Sequence, residues 1–135
     1  MENCIFCKII KGEIPCSKVY EDENSFAFLD VNPINPGHTL LIPKGHHENI
    51  HEIPDQLLEK ITPVVKKIAT AVKTGVGASG INIGQNNGAS AGQVIFHYHI
   101  HIIPRFENDG LKHWPGKPYV LGEAEEIAEK IKSVL

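Results

Sequence analysis

His97, His99 and His101 alternate with apolar residues in the run His97-Tyr98-His99-Ile100-His101-Ile102-Ile103. In an extended strand successive side chains point to opposite faces, so the three rings share one face. Tyr98, Ile100 and Ile102 take the other and can pack against a helix. Polar rings on such a strand must find partners or stay in solvent, because unpaired burial is costly. An imidazole with one nitrogen held as a donor offers the lone pair of the other, to a metal or to an electrophile such as phosphorus. The three do not suit one ion: the first and third lie ~13 Å apart along a strand, whereas zinc–nitrogen bonds are only ~2 Å long. Two readings remain, a face of solvated histidines and a face divided between tasks. Strict alternation of so uncommon a residue favours the second.

The cysteines raise a second chemistry. Cys4 and Cys7 form a C-x-x-C, which in a reducing compartment points to metal or redox chemistry rather than a structural staple. Two thiols are half of a Cys₂His₂ zinc set, and histidines are available. The plain alternative is two thiols near an N-terminus. Cys16 lies outside the spacing and reads as a small packing residue. His47, His51 and His113 read as surface residues.

These groups need a scaffold. Residues 4–11 read as a short helix closed by Gly12 and Pro15. Strands follow over 18–20 and 25–30, then a loop over 31–37 in which Pro33, Pro36 and Gly37 exclude regular pairing. A third strand spans 38–43. The clearest helix runs from Asp55, a candidate N-cap, to about Lys73, with Gly75 just past its end. Its apolar stripe includes Leu57, Ile61, Val64, Ile68 and Val72, with Pro63 inside predicting a kink. Strands 80–85 and 94–104 flank a polar loop over 86–93, and a last helix spans 123–135. Hairpin-like strand pairs with one intervening long helix predict an α+β domain with a five-stranded antiparallel sheet.

The whole chain, 1–135, has the length of one domain, with 41% hydrophobic and 21% charged residues. A net charge of -3 argues against a general nucleic-acid or anionic-membrane binder, whose affinity rests on basic residues. No stretch is long and apolar enough to span a bilayer, and the opening Met1-Glu2-Asn3-Cys4 lacks the pattern of a signal peptide. The expected location is the cytoplasm.

The triad with Gly92-Gln93 before it resembles the motif of the histidine-triad superfamily. So do Cys4-Ile5-Phe6-Cys7, Phe26-Ala27-Phe28-Leu29-Asp30, Pro36-Gly37-His38, Leu41-Ile42-Pro43-Lys44, Asn86-Asn87-Gly88 and the tail His113-Trp114-Pro115-Gly116. The resemblance covers nearly the whole chain and is closest to the Hint-like branch, including its prokaryotic members. The uridylyltransferase relatives fit less well, because they carry proline and glutamine where this chain has Tyr98 and His101.

The resemblance implies a homodimeric hydrolase of purine nucleotide conjugates, with adenosine phosphoramidates first and dinucleoside polyphosphates second. His99 is then the nucleophile that attacks the α-phosphate and forms a nucleotidyl-imidazole. His101 and His38 bond the phosphate or fix the tautomer, Gln93 orients phosphate and water, and Asn86 adds a neutral donor. Asp30 accepts from the ribose hydroxyls, while Phe6, Ile9, Phe28 and Val31 wall the base or simply pack the core. Cys4, Cys7, His46 and His97 hold a structural zinc, which leaves His99 and His101 to chemistry. One position departs from the pattern: Val94 stands where this branch usually has a hydroxyl that donates to the phosphate or leaving group. That departure gives footing to an alternative, a nucleotide-binding regulatory protein whose slow hydrolysis is incidental.

Overall fold

The computed structural model describes residues 2–135; Met1 lies outside them. In chain order the elements are α1 (Ile5–Ile10), β1 (Lys18–Glu21), β2 (Ser25–Leu29), β3 (Thr39–Pro43), α2 (Asp55–Val76), β4 (Gly80–Gly84), a 3-10 helix (Ala89–Ala91), β5 (Ile100–Arg105) and α3 (Glu123–Lys132). All pairings are antiparallel, in the order β1-β2-β3-β5-β4. The expected α+β architecture with a five-stranded antiparallel sheet is what the chain adopts.

The alternation of side chains divides the interior into two layers. Ala27, Leu41, Ile100 and Ile102 lie on one face and bury against Ile61, Val64, Ile68 and Val72 of α2. Phe26, Phe28, Leu40 and Ile42 occupy the other face, covered by Phe6 and Ile9 of α1. Both layers converge on β3, whose five residues are all buried. Leu40 is directly opposite His101 in the β3–β5 register, so the ring of His101 belongs to the α1 face.

Several expected boundaries shift for identifiable reasons. The strand expected over 94–104 begins only at Ile100, so His97 and His99 precede it. β3 pairs with β5 no further than Leu41↔Ile100, and beyond that point the Pro43 carbonyl accepts the ring N–H of His97 at 2.9 Å. The Tyr98 N–H goes to the His47 carbonyl, outside the sheet. The long helix is N-capped by Pro54 rather than Asp55, and it runs past Gly75 to a left-handed Gly77 at φ 68°. It continues through Pro63 as one helix, with Thr62 Oγ1 donating back to the Leu58 carbonyl. α3 stops at Lys132, and none of its residues is buried. Among the described residues no helix is long and apolar enough to cross a membrane.

Candidate active site

The hydrogen bonds around the four clustered histidines define which nitrogen of each carries the proton. His99 Nδ1 lies 2.7 Å from the His97 carbonyl oxygen. A carbonyl can only accept, so Nδ1 holds the hydrogen and Nε2 keeps a bare lone pair. The same logic fixes His38: the Ile34 N–H donates to its Nδ1 at 3.1 Å, so in the neutral ring the hydrogen sits on Nε2. His38 Nε2 then donates to His101 Nδ1 at 2.9 Å, which places the hydrogen of His101 on its outward Nε2. An acceptor-only nitrogen on His99 therefore stands beside a donor on His101, with ring centroids 5.0 Å apart.

Burial keeps these rings neutral. Desolvation lowers the pKa of His38 and His99, partly offset for both by the charge of Asp30. Desolvation, reinforced by His99 and His38, pushes His101 down to about 4. Neutral imidazole is the form that a nucleophile requires. Phe6 meets His99 edge-on with centroids at 5.2 Å, holding the ring from the core side.

Asp30, His38 and His101 also bring three potential ligand atoms within 4.8 Å. They make a relay rather than a metal site, because the Ile34 N–H occupies His38 Nδ1 and obliges Nε2 to keep its proton. Asp30 Oδ2 sits 3.7 Å from His38 Nε2, and its Oδ1 accepts from the Asn32 N–H.

Gln93 is buried with its amide engaged by backbone: Nε2 donates to the carbonyls of Glu48 and Ile95, and Oε1 accepts from the Gly88 N–H. In this structure its work is to fold the loop after β4 against the segment after β3. Gln85 and Asn87, whose residue types alone assign them no role, add to that lacing through paired amides and a 2.7 Å bond from the Ile50 N–H to Asn87 Oδ1. Asn86, the neighbour of Asn87, and His101 line a cleft of about 620 Å³, walled further by Asn82, Ile83, Lys112 and Trp114. Val94 is 80% exposed on the loop's far end.

Of the four apolar residues expected around a base, Phe6, Ile9 and Phe28 come together in the α1-side core, with Phe6 and Phe28 stacked edge to face. Val31 is 86% exposed and is not part of that buried cluster.

A second centre lies beside the first. Cys4, Cys7, His46 and His97 bring their ligand atoms within 4.8 Å of one another. Sulfur–nitrogen separations are 3.4 Å for Cys4–His97, 3.5 Å for Cys7–His46 and 3.6 Å for Cys7–His97. Tetrahedral zinc with ordinary bond lengths sets its sulfur and nitrogen ligands about 3.5 Å apart. The Pro43 carbonyl holds the His97 hydrogen on Nε2 and frees Nδ1 toward the thiols. The residues present fit a zinc ion in donor set, spacing and tautomer.

The HIT domain family model matches residues 11–108, most of the chain. The chain belongs to this family. Among its HIT relatives, the adenosine 5'-monophosphoramidase of Schizosaccharomyces pombe is 44% identical over 133 residues, covering 97% of each chain. The crystal structure of a HIT family member from Bacillus subtilis superposes with a TM-score of 0.91 at 45% identity, covering 98% of this chain and 97% of that one. A zinc-bound histidine triad family protein from Mycobacterium smegmatis matches with a TM-score of 0.78 at 33% identity, covering 99% of both.

Proposed function

We propose that this HIT protein hydrolyses purine nucleotide conjugates at the α-phosphate through a nucleotidyl-His99 intermediate, with adenosine phosphoramidates foremost and dinucleoside polyphosphates second. The observation that carries the reading is the 2.7 Å bond from His99 Nδ1–H to the His97 carbonyl, which leaves the Nε2 lone pair as a nucleophile in a neutral, buried ring. The printed activity of the fission yeast relative, an adenosine 5'-monophosphoramidase, supports the substrate class.

In the first step His99 Nε2 forms a bond to phosphorus as the bond from phosphorus to the leaving amine breaks. The leaving amine takes its proton from solvent, and His101 Nε2–H, oriented by the bonds that run from Ile34 through His38, donates a hydrogen bond to the departing nitrogen. Water then attacks phosphorus as the bond to His99 breaks, and its proton passes to solvent, which releases the nucleoside monophosphate and restores neutral His99. Asn86 on the cleft wall is an amide donor for the phosphate oxygens. Gln93 and the Asn87–Gln85 pair hold the loop that carries Asn86. Asp30 offers its carboxylate to the ribose hydroxyls, and Phe6, Ile9 and Phe28 give the site an apolar floor, with Val31 at its rim. Cys4, Cys7, His46 and His97 would hold zinc as a closed structural site that cross-links the chain. We propose further that the protein acts in the cytoplasm as a homodimer, with the full 1–135 segment as one domain and no nucleic-acid or membrane partner.

The test is direct. Mixing the protein with an adenosine phosphoramidate and quenching early should give a mass increment of one adenylyl group, mapped to His99. His99→Ala should lose that adduct and lower kcat at least ~100-fold while retaining nucleoside monophosphate binding. A variant that keeps more than about a tenth of wild-type kcat would rule out His99 as the nucleophile.

A further inference from the structure

The polarity of the histidine relay depends on one backbone group, the Ile34 N–H, and that group is held in place from outside the relay. Two arrangements of a His38–His101 pair are possible. With the Ile34 donor on His38 Nδ1, the hydrogen of His38 faces His101, and His101 presents a donor at Nε2. Without it, His38 can take its hydrogen on Nδ1 and accept from His101 Nδ1–H. His101 Nε2 then becomes a bare lone pair with nothing to give a leaving group.

The 31–37 loop that carries Ile34 has little packing of its own: Ile34 and Val31 are exposed. What ties it down is the next residue. Asn35 Nδ2 donates to the Pro104 carbonyl at 2.9 Å and to Asp109 Oδ2 at 3.1 Å. The Asn35 carbonyl in turn accepts the N–H of His38. Asp109 is itself clamped in two-point fashion by Arg105, with Nε to Oδ2 at 2.8 Å and Nη2 to Oδ1 at 3.0 Å. The N–H groups of Phe106 and Leu111 close around the same carboxylate, and Arg105 Nη1 reaches Asn82 of β4 at 2.6 Å. The pair is well shielded, with Arg105 and Asp109 side chains 19% and 8% exposed. Arg105 Nη2 also donates to the Leu111 carbonyl, so the clasp fixes the start of the segment that walls the cleft through Lys112 and Trp114. Charge-assisted, bidentate bonds of this kind hold geometry better than neutral surface contacts.

We propose that Asn35 and the Arg105–Asp109 pair are positioning residues for the reaction: they hold the 31–37 loop so that the Ile34 N–H keeps His38 an acceptor at Nδ1 and His101 a donor at Nε2. The kinetic consequence rests on the hydrolase reading above, whereas the tautomer consequence does not. Neither Asn35 nor Asp109 touches His38 or His101 through its side chain, so the action is through the loop.

The experiment is Asn35→Ala, which removes both side-chain bonds and leaves the Arg105–Asp109 pair in place. Nitrogen-15 spectra of the histidine rings report which nitrogen is protonated and need no turnover. Wild-type protein should show His101 as the Nε2–H tautomer, and the variant a mixture or the reverse. On an adenosine phosphoramidate the variant should lose at least about fivefold in kcat, with adenosine monophosphate affinity little changed, since misplacement without loss of contact acts on turnover. Unchanged ring tautomers, or a smaller fall in kcat, would overturn the proposal. A purely structural role would lower the melting temperature and move neither readout. If Asn35→Ala does not fold, Asp109→Asn retains the shape while weakening the clamp and is judged by the same two criteria. Absence of turnover in wild-type protein would sink the hydrolase reading, and the tautomer spectra would still decide the positioning claim.

Discussion

At the residue scale, the chemistry depends less on which histidines are present than on what each ring's second nitrogen faces. The alternation of His97, His99 and His101 was legible in sequence, and so was a division of labour among rings too far apart for one ion. The groups that divide it were not: the His97 carbonyl, the Ile34 N–H and the Pro43 carbonyl are backbone atoms, and backbone partners leave no signature in residue type. The amide of Gln93 illustrates the same limit, since its three bonds all go to backbone groups brought together by folding. Val94 provides a test at this scale. It is largely exposed at the end of the loop that carries Asn86, so a hydroxyl can be introduced there without disturbing a packed side chain. Val94→Ser should raise kcat on phosphoramidates by about threefold or more, roughly the effect of one added neutral hydrogen bond in the transition state. Nucleoside monophosphate affinity should stay within about twofold of wild type. An unchanged or lower kcat would show that departure of the leaving group here needs no hydroxyl at this position.

At the element scale, the sequence located the three α-helices and five strands but read the short 3-10 helix Ala89–Ala91 as loop and misplaced the ends that matter most. Residues 94–99 carry the alternation of a strand, yet the end of β3 offers them no ladder, because Pro43 has no N–H to donate and its carbonyl is taken by a histidine ring. Alternation reports which faces are buried, and pairing depends on a partner the sequence does not display. The end of α2 shows the converse. Gly75 looked like a terminator, but Gly77 adopts the left-handed turn, and the extra residues carry Val76 onto Gly37. A Cβ at Gly37 would stand 2.9 Å from Val76 Cγ1 and 3.3 Å from Pro104 Cγ, at a φ of 101° that side chains rarely adopt. The glycine thus lets the C-terminal end of α2 and the strand carrying Pro104 close on the residue just before His38. Gly37→Ala combines backbone strain with overpacking, so a cost of about 2 kcal/mol or more is expected, a fall of ~8 °C in melting temperature for a domain of this size. Thermal unfolding decides it: a fall under about 2 °C would mean that Val76 moves aside freely.

At the scale of the whole molecule, the Cys₂His₂ cluster joins segments that no secondary structure joins. Cys4 caps α1, accepting from the Cys7 N–H, His46 follows β3, and His97 precedes β5. The unfolded chain has no such site, so the free energy of zinc binding becomes free energy of folding. The cluster also reaches the reaction centre by a short route, since His97 would be a ligand by its ring and is, through its carbonyl, the acceptor that holds His99. That carbonyl is positioned by the chain on either side as well, with the Tyr98 N–H bonded to His47 and Phe6 packed against both rings. Loss of the metal should therefore weaken the fold much more than it weakens the chemistry. Protein purified without chelator should contain one zinc per chain by metal analysis. The double variant Cys4→Ser, Cys7→Ser should bind none and melt at least ~10 °C lower, because even part of a structural zinc's ~10 kcal/mol exceeds what surface contacts can restore. Where the double variant remains folded, kcat should fall by less than about tenfold, as neither His99 nor His101 is a ligand. Folded, active wild-type protein with far less than one zinc per chain, or a double variant with an unchanged melting temperature, would remove the metal from the account of stability. A variant that is fully folded yet inactive would instead make the zinc centre part of the catalytic apparatus, acting through the His97 carbonyl.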